Sequence, residues 1–310
     1  MRQLSFLIVT FLLCTTAQAT IWRVNSNPGA KANFTNLQSA IDTSAVSAGD
    51  TLYIEGSAED YGDIDLNKQL VLIGVGYFLD DNDLAPFYAN ARLGQVNVNV
   101  ENCVLIGLQM DDIYAYKGYL RIQRCYFVDL YNPSGSYNIS NIQVIQSYFR
   151  ETNSYASSKK FTNSTFYNCI IRDGLEELSS CQILNCLFKN VSGYHLIDVD
   201  YSNIKNCLVE NGTWSTTGSD NNSFSNNLLG ATGATYFVEG DSPDGQYVLA
   251  ESSPAKGAGA NGEDCGPFGG INPYVLSGLP PIPNIISMDV PSSGSKTDGL
   301  QIKLKIQATN

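Results

Sequence analysis

Ile183-Leu184-Asn185-Cys186-Leu187-Phe188 and Ile204-Lys205-Asn206-Cys207-Leu208-Val209 are one phrase written twice, 21 residues apart. An apolar residue is followed three positions on by an anchor and two positions later by a second apolar residue, with Asn directly before the anchor. Working outward, the phrase occurs seven times between Val100 and Leu229. The anchors are Cys103, Cys125, Ser147, Cys169, Cys186, Cys207 and Asn227, at steps of 22, 22, 22, 17, 21 and 20 residues. Val100, Ile122, Val144, Phe166, Ile183, Ile204 and Phe224 precede them, and Leu105, Phe127, Phe149, Ile171, Phe188, Val209 and Leu229 follow.

A coil of about twenty residues built from Val, Ile and Phe strands with Asn turns cannot bury its apolar face alone, so it must stack on copies of itself. The spacing around the anchor breaks strict alternation, which predicts a corner at the Asn before period-two strand geometry resumes. Regularly placed leucines of the leucine-rich type are absent, and β-branched, Asn-rich strands exclude helix-pair repeats. The predicted fold is all-β, a right-handed parallel β-helix solenoid with an N-terminal capping helix and a C-terminal hairpin-like tail.

Thr35-Asn36-Leu37-Gln38 has capping-box spacing, and Leu37, Ala40, Ile41 and Ala45 share a helical face, so a short helix should plug the first coil. Gln69-Leu70-Val71-Leu72-Ile73-Gly74 is echoed by Cys103-Val104-Leu105-Ile106-Gly107 after a long insertion, Tyr77 to Gly94. The run Phe34 to Tyr77, with Leu-Gln-Ser-Ala-Ile, Ala-Gly-Asp-Thr-Leu-Tyr-Ile and Leu-Val-Leu-Ile-Gly in succession, resembles the opening of secreted bacterial pectin-lyase-like β-helix proteins. Ser253-Pro254-Ala255-Lys256-Gly257-Ala258-Gly259 with Asp264-Cys265-Gly266 is similar to their closing coil. The resemblance spans Ile21 to Tyr274 and implies a fold; that family holds lyases, hydrolases, epimerases and adhesins, so it implies no single activity.

Residues 1–19 combine Arg2, an apolar run from Leu4 to Leu13 and Ala17-Gln18-Ala19, the pattern of a signal peptide cleaved near Ala19. This predicts a secreted, periplasmic or outer-surface protein with no membrane span. The domains expected are the leader at 1–19, a β-helix at 20–276, and a Pro-rich linker with a two-strand tail at 277–310. Losing Arg2 takes the net charge from −12 to −13. So acidic a surface repels nucleic acid and anionic lipid. Seven of the eight cysteines follow the leader, and five of those lie in the anchor column, so they read as buried free thiols acting as small core residues. The tail's alternating Leu300, Ile302, Leu304 and Ile306 need a partner, and the outward row Val104, Tyr126, Tyr148, Ile170, Leu187, Leu208 and Leu228 is the surface expected to receive them.

Stacking converts columns into ladders about 4.8 Å per rung. Three beyond each anchor stand Ile106, Val128, Arg150, Arg172, Lys189, Glu210 and Gly230; four beyond stand Gly107, Asp129, Glu151, Asp173, Asn190, Asn211 and Ala231. Arg150, Arg172 and Lys189 are the candidate catalytic residues, since a cation of lowered pKa can abstract a proton beside a uronate carboxyl. Asp129, Glu151 and Asp173 are candidate substrate-binding groups that could hold calcium, and Tyr131, Tyr137 and Tyr155, from a tyrosine-rich set including Tyr114, Tyr116 and Tyr119, could stack on sugar rings. A charge-compensated, solubilising ladder explains the same columns. Asp111-Asp112 resembles the paired carboxylates of β-helix glycoside hydrolases, but their companion segments are absent, as are the pectate-lyase Arg-x-Pro-x-x-Arg and Trp-x-Asp-His segments. Alternation places Asp198 and Asp200 on one strand face, solvent-facing, with Leu196 beside them and the sole histidine, His195, opposite. The function expected is glycan binding or an adhesin-like role without catalysis; the alternative is a cation-assisted lyase of an acidic polysaccharide.

Overall fold

The computed structural model describes residues 19–79, 89–154, 159–189, 193–210, 212–230, 236–238, 245–270, 273–275, 284–297 and 299–307. Residues 1–18 of the expected leader, and Tyr155, lie outside them. Over the described residues the chain winds as a parallel β-solenoid. Its first sheet has ten strands stacked in chain order, from Ile21–Val24, Thr51–Ile54 and Val71–Ile73 through Val104–Ile106, Arg121–Gln123, Gln143–Ile145, Thr165–Tyr167, Gln182–Leu184 and Asn203–Lys205 to Ser223–Ser225. The second sheet runs from Ile64–Leu66 through Val96–Val98, Ile113–Ala115, Tyr126–Asn132, Tyr148–Ser154, Ile170–Ser179, Leu187–Phe188 and Leu208–Val209 to Leu228–Leu229. A third, shorter face joins the end of Ile170–Ser179 to Phe161–Thr162 on one side and to Leu196–Asp200 and Thr216–Thr217 on the other.

The residue before the anchor does turn the corner. Arg124, Gln146, Asn168, Asn185, Asn206 and Asn226 all adopt left-handed backbone, with φ between 49° and 55°. A second left-handed column, Asn102, Tyr119, Asn141, Asn163, Ser180, Tyr201 and Asn221, turns the chain into the first sheet. The short polar side chain of Asn tolerates this region and explains its frequency at both corners. The anchor's chemistry follows from the same corner, because it leaves carbonyls pointing at the core. Cys125, Cys169, Cys186 and Cys207 each direct Sγ at two of them, one in their own coil and one in the coil before, at 3.3–3.6 Å. Ser147 Oγ donates to the Ile145 carbonyl at 2.9 Å and Asn227 Nδ2 to that of Ile204 at 2.9 Å, so Cys, Ser and Asn serve one role as small donors. The seven described cysteines are all free and buried. Inside, Phe127 and Phe149 stack with ring centres 4.9 Å apart, and burying each contributes roughly 1.5–3 kcal/mol.

One member of the repeat is out of phase. Leu105 pairs with Ile122 and not with Phe127, so Cys103 belongs to the second corner column, beside Cys181 and Ser202. The anchor of that coil is Leu108, after Gly107 at φ 61°, with Met110 as its following apolar residue. The echo of Val71-Leu72-Ile73 by Val104-Leu105-Ile106 holds residue for residue and already carried the correct phase. Consequently Ile106 and Gly107 leave the two ladders and Asp111 and Asp112 take their rungs.

The cap helix is Leu37–Asp42, burying Leu37, Ala40 and Ile41. Its N-cap is Asn36, whose Oδ1 accepts from the Ser39 amide at 2.8 Å, one residue later than the Thr35 capping box predicts; Ala45 lies past the helix and is exposed. After the last coil, residues 245–270 and 273–275 run back along the outside toward the first coils, over the Asn corner. Gly266 N–H donates to the Asn185 carbonyl at 2.6 Å, Asn168 Nδ2 to the Gly266 carbonyl at 2.7 Å, and Arg124 Nη2 to the Pro273 carbonyl at 3.2 Å. Tyr274 ends stacked on Tyr77 at 5.2 Å. The segment similar to a closing coil is therefore part of a return strap.

This strap, not the tail, covers the outward row. Tyr148, Ile170, Leu187 and Leu208 form a buried cluster with Tyr236, Tyr247, Leu249, Ala255 and Cys265. The tail forms an antiparallel hairpin, Asn284–Asp289 with Lys303–Gln307, and every side chain described between Ser287 and Ile306 is exposed.

Candidate functional site

The second sheet turns a polar and aromatic face outward. Parallel pairing without register breaks lines up Asp65, Asn97, Tyr114, Tyr131 and Asn153 in one column. Asn97 Nδ2 donates to Asp65 Oδ1 at 2.8 Å, Gln95 Nε2 to Asn97 Oδ1 at 2.8 Å, and Asn99 Nδ2 to Asn67 Oδ1 at 3.1 Å. Tyr114 and Tyr131 stack with centres 5.0 Å apart and planes 17° from parallel. The arrangement arises because Val96, Val98, Ile113, Ala115 and Leu130 fill the inner face, leaving alternate positions to amides and phenols.

At the end of Ile113–Ala115 this face opens into a depression of about 280 Å³ lined by Glu101, Tyr116, Lys117, Gly118, Tyr119, Tyr137 and Asn138. Tyr119 and Tyr137 are 53% and 45% exposed, enough to offer ring faces to a ligand. Tyr137 donates its hydroxyl to the Tyr116 carbonyl at 3.2 Å, and Lys117 Nζ lies 5.6 Å from its ring centre. Gly118 is required there, since a Cβ would sit 2.2 Å from the Ser140 carbonyl oxygen.

The charged ladders are distributed differently. Asp129 is buried and accepts from Arg150 Nε at 2.8 Å, from Arg150 Nη2, and from the Tyr131 hydroxyl at 2.9 Å. Arg150 Nη2 also lies 3.3 Å from Glu151. The hydrogen bond to Asp129 pushes the Arg150 guanidinium above its ordinary pKa, away from what proton abstraction needs. Arg172 is exposed and Asp173 falls in a register shift that pairs Glu151 with Gly174, so neither continues the ladder. Lys189 Nζ turns instead onto the rings of Tyr247 and Phe237, 4.8 and 5.8 Å from their centres. The structure thus brings together Asp129, Tyr131, Arg150 and Glu151, and sends Arg172, Lys189 and Tyr137 elsewhere.

Carboxylates dominate the neighbouring rungs. Burial, followed by the charge of Asp129, pushes Asp112 and Glu151 above the usual carboxylate range. Burial, then Glu151 and Asp198, raises Glu176 to about 7. Among the described residues no group of three or more His, Cys, Asp or Glu side chains is placed to hold a metal ion. Simple alternation breaks at His195 and Leu196, which are both buried, and Asp198 is left-handed at φ 52°. The His195 imidazole is buried between Phe188 and Trp214, with Nδ1 accepting from the Ser215 amide at 3.0 Å, and Leu196 is buried beside it. No described helix is long and apolar enough to cross a membrane.

Asn97, Asn99 and Lys117 are not among the residues the repeat singles out for binding, whereas Tyr119 belongs to the tyrosine-rich set. Gln95-Val96-Asn97-Val98-Asn99, amides alternating with valines, is the signal in the sequence that marks an outward polar face. Comparison with protein-family models, with curated proteins and with solved structures finds no match to this chain.

Proposed function

We propose that this protein is an exported glycan-binding module that holds a saccharide chain against the second sheet and does not cleave it. The observation that carries the reading is the column Asp65, Asn97, Tyr114, Tyr131, Asn153 running into the tyrosine-lined depression. Planar amides and carboxylates satisfy vicinal hydroxyls, while exposed tyrosine faces take the apolar faces of sugar rings. Preorganisation supports it further: the amides are held by one another across coils, so little side-chain freedom is lost on binding. Export fits the leader-like residues 1–19, and the opening run that resembles pectin-lyase-like proteins fits an extracellular polysaccharide as partner. The pairing of Arg150 with Asp129 weighs against the lyase alternative, because that cation is committed and its pKa is raised.

A glycan array with the purified chain, followed by calorimetry on the best ligand, tests this. Tyr137→Ala and Asn97→Ala are each expected to weaken binding about tenfold, the loss of one stacking or hydrogen-bonding contact of about 1–1.5 kcal/mol, with unchanged melting temperature. Release of unsaturated uronate, read by absorbance, or binding unaffected by both variants would overturn the proposal.

A further inference from the structure

The first strand begins beside a buried carboxylate. Asp50 is 4% exposed and ends the turn that leads into Thr51–Ile54. Its Oδ2 accepts from the Trp22 indole Nε1 and from the Ser47 amide, each at 2.9 Å, and its Oδ1 accepts from the Thr20 amide at 2.8 Å. Burial works against ionisation here, yet the bonds from Ser47, Thr20 and Trp22 outweigh it and hold the carboxyl below its ordinary range, so it is charged at neutral pH. Among the described residues no Lys, Arg or His forms an ion pair with it. A buried charge without a counter-charge is costly, and a cation at the same place would relieve it.

The sequence supplies that cation. Ala17-Gln18-Ala19 is the small-x-small pattern of a leader cleavage site, and it places the scissile bond between Ala19 and Thr20, both exposed. Hydrolysis there by a signal peptidase adds water across the bond: the Ala19 carboxylate departs with the leader, and the Thr20 nitrogen becomes an α-ammonium. That nitrogen is the atom 2.8 Å from Asp50 Oδ1. Resting on the reading of this chain as exported, we infer that the Ala19–Thr20 bond is a processing site whose new terminus pairs with Asp50 and locks the first strand onto the solenoid.

Register makes the coincidence specific. The Thr20 carbonyl accepts from the Thr51 amide at 2.9 Å, and Ile21–Val24 then pairs with Thr51–Ile54 without a break. Cleavage one residue later removes that carbonyl. Cleavage one residue earlier moves the charge about 3.8 Å along the chain and leaves a neutral amide at Asp50. The pattern belongs to the sequence of residues 17–19 and the carboxylate to the fold, so two independent features meet on one atom. Where the amide brings a single neutral N–H, the ammonium brings a full charge and two further donors. Trp22, which shares Asp50 with Thr20, packs against the core with its ring 5.7 Å from that of Phe34, so the pair is tied into the body of the stack.

Two measurements test this. The full chain is expressed with its leader in an exporting host, and the terminus of the recovered protein is read by sequencing and intact mass; a start at Thr20 is expected. Chains beginning at Thr20 and at Ala19 are then released from a removable fusion and melted at about pH 6.5, where an α-amine is protonated, each with and without Asp50→Asn. The Ala19 chain keeps the amide at Asp50, so the difference reads the charge. The Thr20 chain should melt about 2–5 °C higher, and the gap should close in the Asp50→Asn pair. Should Asp50→Asn not fold, acetylation of the Thr20 amine, which removes the charge and leaves Asp50 intact, is expected to erase the gap in its place. A terminus other than Thr20, or equal melting of the Thr20 and Ala19 chains, overturns this inference alone; a chain retained in the cell with its leader uncut overturns the export reading with it.

Discussion

The left-handed corners are where single residues carry the most information. Of the seven residues in the second corner column, four are Asn, one is Ser, and two are Tyr119 and Tyr201, at φ 55° and 50°. A bulky side chain in that region costs roughly 1–2 kcal/mol more than in a right-handed one, and Asn recovers part of this by local hydrogen bonding. Tyr119 is 53% and Tyr201 64% exposed, so neither compensates by burial. Tyr119→Asn and Tyr201→Asn should therefore each stabilise the fold by about 0.5–1 kcal/mol, a rise of a few degrees in Tm. Only the first should also weaken glycan binding, because Tyr119 lines the depression whereas Tyr201 stands four coils further along the first sheet. Equal effects on binding from both variants would mean that Tyr119 is a scaffold residue. The anchors belong to the same argument: Cys, Ser and Asn alternate in one column because the corner needs a small donor, and thiol reactivity is suppressed there. Burial pushes Cys181 to about 11 and Cys125 to about 12.

At the scale of elements, the return strap explains why the first corner column is not uniformly Asn. Arg124, Gln146, Asn168 and Asn185 each offer a side chain to it: Gln146 Nε2 donates to the Gly269 carbonyl at 3.3 Å, and Asn185 Oδ1 accepts from the Ala260 amide at 2.9 Å. Asn168→Ala or Asn185→Ala leaves buried strap groups without partners and should cost about 1–3 kcal/mol. Residues 245–275 should then exchange their amides before the solenoid strands do, in a step of their own. Exchange that stays concerted with the strands, or a Tm unchanged in both variants, would show that the apolar cluster alone holds the strap. The strap was not legible in the sequence because it has no period; Ser253 to Gly266 reads as a coil when judged by its turn residues. The coils were legible because stacking repeats small or apolar side chains down each inward column, and the misphased Cys103 arose because two corner columns both accept Cys. The binding face was half legible. Tyr137 and Tyr131 stood out as aromatics, but Asn97 and Asn99 lie where coil spacing is irregular and only the register exposes their alignment.

For the molecule as a whole, the decisive property is acidity concentrated on one side of a stack. Glu176 and Glu177 are raised to about 7, by burial first and then by neighbouring carboxylates, chiefly Glu151 and Asp198 for the former and Asp198 for the latter. Burial holds His195 below its ordinary value. The two effects have opposite signs. A carboxyl whose folded pKa is raised contributes stability that is complete below the unfolded value, about 4.3, and is lost as pH rises through about 7. A histidine whose folded pKa is depressed contributes stability that is complete above about 6.5 and is lost as pH falls through the depressed value. Two raised glutamates outweigh one histidine, so urea midpoints should be higher at about pH 5.5 than at about pH 8. Glu176→Gln with Glu177→Gln should flatten the alkaline limb, and 0.5 M salt should reduce it only in part, since desolvation is the first cause and is not screened. His195→Phe should leave the alkaline limb intact and improve stability only on the acid side. A midpoint that rises steadily from about pH 5 to about pH 8, with the glutamine variant indistinguishable from the parent, would place these carboxyls in water and dissolve the acidic stack as an energetic feature of the solenoid.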